Sequence, residues 1–182
     1  MQLKEIINSD LYRYTGNNKL SIFSKKRLYG WNYTKIWRKV NASTENSLSY
    51  LLYGFLLYRK SLKYGFQISP HATIGKGLYL GHFGTIVVGN EVSIGDNCNL
   101  SPNVIIGRTN RGKFKGSPQI GNSVWIGSGA VLVGNISIGD NVLIAPNAYV
   151  NFNVPKDSIV VGNPASIHPS KNATEEYIDN KV

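Results

Sequence analysis

Three histidines and one cysteine are the side chains through which this 182-residue chain could do proton-transfer, nucleophilic or metal chemistry near neutral pH. An imidazole titrates in that range unaided, so His71, His82 and His168 come first. A metal site needs three or four convergent ligands. His168 is far from the other two in sequence and His71 and His82 are eleven residues apart, so no metal is expected. His82 is the better candidate for a general base. It stands in Leu80-Gly-His-Phe-Gly84, where flanking glycines leave room for a ligand beside the ring. An imidazole so placed can take the proton of a hydroxyl; a structural histidine is the other reading of the same residues. Cys98 has no partner for an internal disulfide and reads as a small buried hydrophobe. Arg108, Arg111, Lys113 and Lys115 share one loop and could meet phosphates or an acidic glycan, or could simply be solvated.

The elements that position these groups are written in a six-residue repeat. Large aliphatics open each unit: Ile68, Ile74, Leu80, Val88, Ile94, Leu100 and Ile106, then Ile120, Ile126, Leu132, Ile138, Ile144 and Val150. Glycine follows eight of them, and a small or apolar residue such as Ala72, Cys98 or Ala148 comes four positions after the opener. A period of six fits a parallel β-helix of short strands and tight corners. Three units per coil predict a triangular prism of about four to five coils, with openers pointing inward and stacking on their equivalents one coil away. The glycines suit corners where a side chain would crowd or φ must be positive. The register breaks twice, at two extra residues around His82 and at the loop Arg108–Gln119. Insertions in repeats project from one face, often the binding face.

Charge is unevenly placed. Residues 1–65 hold twelve Lys and Arg against three acids, while residues 66–182 hold eight against seven. The basic part, with Lys25, Lys26 and Arg27 as its densest cluster, reads as mainly helical: a segment from Leu3 to Tyr14, an aromatic and basic stretch over 20–40, and an apolar helix from Ser47 to Tyr58. That last segment is too short to span a bilayer. It is read as packed against the first coil or neighbouring subunits, with shallow membrane contact as the alternative. No nucleic-acid motif is present, and the polar start predicts no secretory signal peptide. The division expected is a basic helical region over 1–65, the β-helix over 66–167 and a tail over 168–182.

Residues 66–167 resemble the left-handed β-helix acyltransferases, in particular the serine acetyltransferase branch. The residues that carry this are Ile74-Gly-Lys-Gly-Leu78, His82-Phe-Gly-Thr-Ile-Val-Val-Gly89, Ile94-Gly-Asp96, Ile126-Gly-Ser-Gly-Ala130, Gly134-Asn-Ile136 and Val160-Val-Gly-Asn-Pro-Ala-Ser-Ile167. Asp10-Leu-Tyr-Arg-Tyr14 and Gly107-Arg-Thr-Asn-Arg-Gly112 look like a subgroup associated with surface-polysaccharide synthesis. The resemblance implies a left-handed coil and a cytoplasmic homotrimer with sites between subunits. It also implies acetyl-CoA as donor, with no metal, and His82 as the base on the acceptor hydroxyl. It places Gly107, Ser128, Gly129, Ala130, Ala145 and Pro146 near CoA, and Gly81 and Ser117 near the acceptor; Arg108 and Arg111 join them as substrate-binding candidates on the charge of their loop.

Three departures bear on the acceptor. Where the serine enzymes carry an aspartate that orients the imidazole, this chain has Gln67, whose amide oxygen could accept the ring proton without stabilising imidazolium by charge. The aspartate before the catalytic histidine is here Gly81, and the Arg-His-Pro segment is Gly116-Ser-Pro118. Charges that would hold an amino acid are missing there. The expected function is therefore O-acetylation of a sugar or polysaccharide hydroxyl. Serine O-acetylation is the alternative, and a non-catalytic β-helix scaffold is the alternative of another class.

Overall fold

Every third strand of the repeat lands on the same face, and this closes the chain into a prism. The computed structural model describes residues 2–17 and 28–182, so the cluster Lys25, Lys26 and Arg27 lies outside the described residues. In chain order the strands are β1 (Phe66–Ile68), β2 (Thr73–Ile74), β3 (Tyr79–Leu80), β4 (Ile86–Val88), β5 (Ser93–Ile94), β6 (Asn99–Leu100), β7 (Val104–Gly107), β8 (Gln119–Ile120), β9 (Trp125–Ile126), β10 (Val131–Val133), β11 (Ser137–Ile138), β12 (Val142–Ile144), β13 (Tyr149–Val150), β14 (Ser158–Gly162) and β15 (Ala165–Pro169). The first face stacks β1, β4, β7, β10 and β13; the second stacks β2, β5, β8 and β11; the third stacks β3, β6, β9, β12 and β14, closed by β15. All pairings are parallel except β14 with β15. The result is a parallel β-solenoid of about five turns.

The openers stack as the period requires. Ile68 lies opposite Val88, Val88 opposite Ile106, Ile106 opposite Leu132, and Leu132 opposite Val150. All five are buried. Their aliphatic columns supply the core, since burying a large aliphatic side chain is worth about 1.5–3 kcal/mol. Cys98 lies inside this core, where burial pushes its thiol up to about 12. A group so held is no nucleophile at neutral pH.

Five of the eight glycines after the openers, Gly75, Gly95, Gly121, Gly127 and Gly139, are required by crowding against the backbone of the next coil. A Cβ on Gly95 would lie 2.7 Å from backbone atoms of Gly121, and one on Gly121 would lie 2.9 Å from those of Gly139. The left-handed corner residues come two positions later, at Gly77, Asn97, Ser123, Asn141 and Asp157. Asn and Asp tolerate that conformation because their short side chains bond locally.

Among the described residues three helices cover the open edge of the first coil: α1 (Leu3–Thr15), α2 (Tyr29–Asn41) and α3 (Leu48–Tyr64). A solenoid's terminal coil exposes unpaired strand backbone and needs a cap. Here side chains pair with it one group at a time. The Tyr33 hydroxyl accepts from Ile68 N, and Trp37 Nε1 donates to the Ser69 carbonyl. Asn41 donates to the Pro70 carbonyl. Arg38 donates to the carbonyls of Ile74 and Gly75, and the Asp10 carboxylate accepts from Leu78 N. Arg13 donates to the Gly77 carbonyl, and Tyr14 closes the row on Leu80 N and O. Asp10 and Arg38 are both buried, with Arg38 Nε 3.0 Å from Asp10 Oδ2.

α3 begins at Ser47, whose hydroxyl accepts from Tyr50 N, and ends at Gly65 in the left-handed region. Its inner face, with Leu57 and Tyr64, is buried against the prism, while Leu48, Leu51, Leu52, Phe55 and Leu62 remain exposed. Among the described residues no helix is long and apolar enough to cross a membrane. After β15 the tail turns back toward the first coil. Thr174 bonds to Asn141, and Asn97 pairs reciprocally with the backbone of Val182.

Candidate active site

His82 stands on the corner between the third and first faces, after β3, and its side chain is exposed. It lines a cavity of about 160 Å³ with Tyr79, Gly81, Asn99, Ser101 and Trp125. The two extra residues in this unit make the corner protrude. A Cβ on Gly84, whose φ is +140°, would come 3.2 Å from Pro102 of the next coil. Tyr79, Asn99 and Trp125 occupy equivalent outward positions on three successive coils. Each immediately precedes an opener, which is the signal that could have found them in the sequence. Trp125 faces outward, and its ring packs on Tyr177 of the chain's own tail with centroids 4.9 Å apart.

Below His82 the same corner repeats at Ser101–Asn103, Gly127–Gly129 and Ala145–Asn147. Backbone bonds tie them into a column: Gly129 N to Pro102 O at 3.0 Å, and Asn147 N to Ser128 O at 2.9 Å. Ser128, Gly129, Ala145 and Pro146 thus lie on one edge of the prism in line with His82. With coils about 4.8 Å apart, the column from His82 to Ala145 runs about 14 Å. Such an edge suits a long, thin ligand. Ala130 is inside the prism, with N bonded to Gly127 O and O to Ile105 N, so it fills a corner rather than facing solvent. Gly107 lies on the opposite edge of the first face, and a Cβ there would meet nothing within 4 Å.

The other predicted residues scatter. Gln67 faces outward from β1 and lines a separate cavity with Tyr58, Leu62, His71 and Val87. Ser117 is buried and its hydroxyl donates to Glu91, which also pairs with Arg108; both belong to the loop between the first and second faces. Arg111 is exposed on the same loop. None of Gln67, Arg108, Arg111 and Ser117 lines the His82 cavity of its own chain. Among the described residues no group of three or more His, Cys, Asp or Glu side chains could hold a metal ion.

Comparison with known proteins bears on this geometry. Residues 117–151 match the family model for the bacterial transferase hexapeptide (six repeats). A serine acetyltransferase of Staphylococcus aureus (strain Mu50) is 42% identical over 103 residues, covering 57% of this chain and 48% of that protein. The chain is thus similar to serine acetyltransferases over its repeat region. It spans about half the length of the curated relatives it matches. Among solved structures, the Neisseria gonorrhoeae serine acetyltransferase in complex with serine is 29% identical with a TM-score of 0.76, covering 92% of this chain and 69% of that one. A serine acetyltransferase solved in complex with CoA is 26% identical with a TM-score of 0.76, covering 91% and 69%. These similarities support the resemblance to the serine acetyltransferase branch. The narrower expectation of a polysaccharide-associated subgroup finds no support in them.

Proposed function

We propose that this protein is an acetyl-CoA-dependent O-acetyltransferase in which His82 is the general base and L-serine the acceptor. The observation that carries the reading is the exposed His82 imidazole, placed at the head of the corner column and open to a cavity. The similarity to serine acetyltransferases, one of them solved with CoA and another with serine, supports both substrates. In this reaction the imidazole takes the hydroxyl proton while the oxygen attacks the thioester carbonyl. The carbon–sulfur bond breaks, and the CoA thiolate leaves with the proton returned by the imidazolium. Acetyl passes directly, so no acyl-enzyme is needed. The corner column would hold the extended arm of CoA through backbone groups. Gln67 keeps its proposed role as orienting acceptor for the imidazole on the strength of the resemblance alone, because it lines a different cavity.

The sugar acceptor expected from Gly81 and Gly116–Pro118 becomes the second reading. It is favoured by one observation: among the described residues no Asp, Glu, Lys or Arg side chain lines the His82 cavity itself. Steady-state CoA release with L-serine and a panel of sugars separates the two. L-serine is expected to give the highest kcat/KM; a sugar that outcompetes it would promote the second reading.

A homotrimer is part of the proposal. Its support is the outward row Val87, Ile105, Val131 and Tyr149 along the first face, apolar and partly exposed, which a neighbouring prism would cover. Sedimentation at micromolar concentration should show three copies, and a stable monomer would contradict the proposal.

A further inference from the structure

The helix α3 packs one side and leaves the other bare. Leu57 and Tyr64 are buried, and Tyr50 and Tyr53 lean against the same core. Leu48, Leu51, Leu52, Phe55, Tyr58 and Leu62 are each more than half exposed. At about 3.6 residues per turn they fall within a third of the circumference, so they form one apolar stripe with Phe55 at its centre. Over its 17 residues the helix is about 25 Å long. A contiguous apolar surface of that extent marks an interaction site rather than a solvated face.

The charge beside the stripe is of one sign. α3 contains Arg59, Lys60 and Lys63 and no acid. Arg59 lies in the last turns of the stripe, and Lys63 and Lys60 follow along one border. Lys39 of α2 joins that border, its ammonium 4.7 Å from the centroid of the Tyr53 ring. Burial, with the neighbouring Lys35 and Lys63 charges, holds the Lys60 pKa below its ordinary value. The three acids of residues 1–65 are engaged elsewhere: Glu5 caps α1, Asp10 holds Arg38 and Glu45 stands beside His71. Among the described residues no carboxylate pairs with Arg59, Lys60 or Lys63.

We propose that α3 seats the protein on an anionic lipid surface. The helix would lie in the plane of the bilayer. Phe55 and the leucines would enter the boundary between headgroups and acyl chains, and Arg59, Lys60 and Lys63 would meet the negative groups of the lipids. No described helix is long and apolar enough to cross a membrane, which leaves the in-plane arrangement. Charge decides the occupant. Residues 1–65 carry twelve Lys and Arg against three acids. A second copy would bring the same positive excess to the contact, whereas an anionic bilayer neutralises it. Apolar insertion and basic attraction are the two signals that stable peripheral binding needs. The inference stands apart from the chemistry assigned to His82.

The test uses the full chain and vesicles of phosphatidylcholine, with and without phosphatidylserine, read by flotation. The protein should float with the anionic vesicles and stay behind with the neutral ones. Binding should weaken as salt rises, because the Debye length shrinks from about 10 Å at 0.1 M to about 3 Å at 1 M. Changing Leu51→Ser and Phe55→Ser together should weaken binding by at least about 10-fold, since each side chain loses an apolar environment. Changing Arg59→Gln and Lys63→Gln together should weaken it by about 25-fold, about fivefold for each charge near an anionic surface. All four side chains are exposed, so circular dichroism should be unaltered. No flotation with either vesicle, equal flotation with both, or a Leu51→Ser, Phe55→Ser variant that floats like the wild type overturns the proposal. So does the absence of flotation combined with a sedimentation coefficient that falls in the Leu51→Ser, Phe55→Ser variant, which would show that a second copy covers the stripe.

Discussion

Replacing His82 with Ala should lower kcat by about 10²–10⁴, the usual worth of a positioned general base. In free energy that is about 3–5 kcal/mol of transition-state stabilisation. Acetyl-CoA affinity should change little, because the donor column lies on the coils below and contacts main chain. The fold should survive, since the side chain is exposed and no hydrogen bond within the described chain depends on it. A pre-steady-state experiment with saturating acetyl-CoA checks this: the variant should bind donor normally and transfer slowly. Wild-type turnover would remove His82 from the mechanism.

Arg38→Ala should be the most damaging single change to stability outside the repeats. The guanidinium holds Asp10 through Nε at 3.0 Å and Nη2 at 3.1 Å, and it caps the carbonyls of Ile74 and Gly75. Removing it strands a buried carboxylate and two carbonyls of the first coil. Breaking a buried pair from one side costs about 3–5 kcal/mol. For a domain of this size that is a fall of about 6–20 °C in Tm. Arg38→Lys should recover only part of the loss, because an ammonium cannot reproduce the fork that spans Asp10 and two carbonyls. Thermal unfolding followed by circular dichroism measures it; a fall under about 2 °C would show that the cap contributes little.

The prism was legible because its signal is redundant. Thirteen openers in register, each with its equivalent three units on, leave no other way to bury the aliphatic columns. The irregular corner that carries His82 was legible for the opposite reason: two extra residues between Leu80 and Val88 break the pattern there. The end caps were not legible. Arg13 reaches Gly77, Asn99 and Asp179, contacts that exist only because a terminal coil must have its edge covered and because the tail folds back along the prism. No periodicity in the sequence encodes those meetings. Gln67 shows the converse. Its spacing from His82 copies a family pattern, yet β1 turns it outward on the first face, into another cavity.

The central claim is transfer of acetyl from acetyl-CoA to a hydroxyl at His82, and product analysis tests it most directly. Acetyl-CoA and L-serine are incubated with the wild-type protein and with the His82→Ala variant, and both products are followed by NMR. O-acetyl-L-serine should appear in step with free CoA for the wild type, and about 10²–10⁴ times more slowly for the variant. CoA appearing without acetylated serine, or equal rates from the two proteins, would contradict the account.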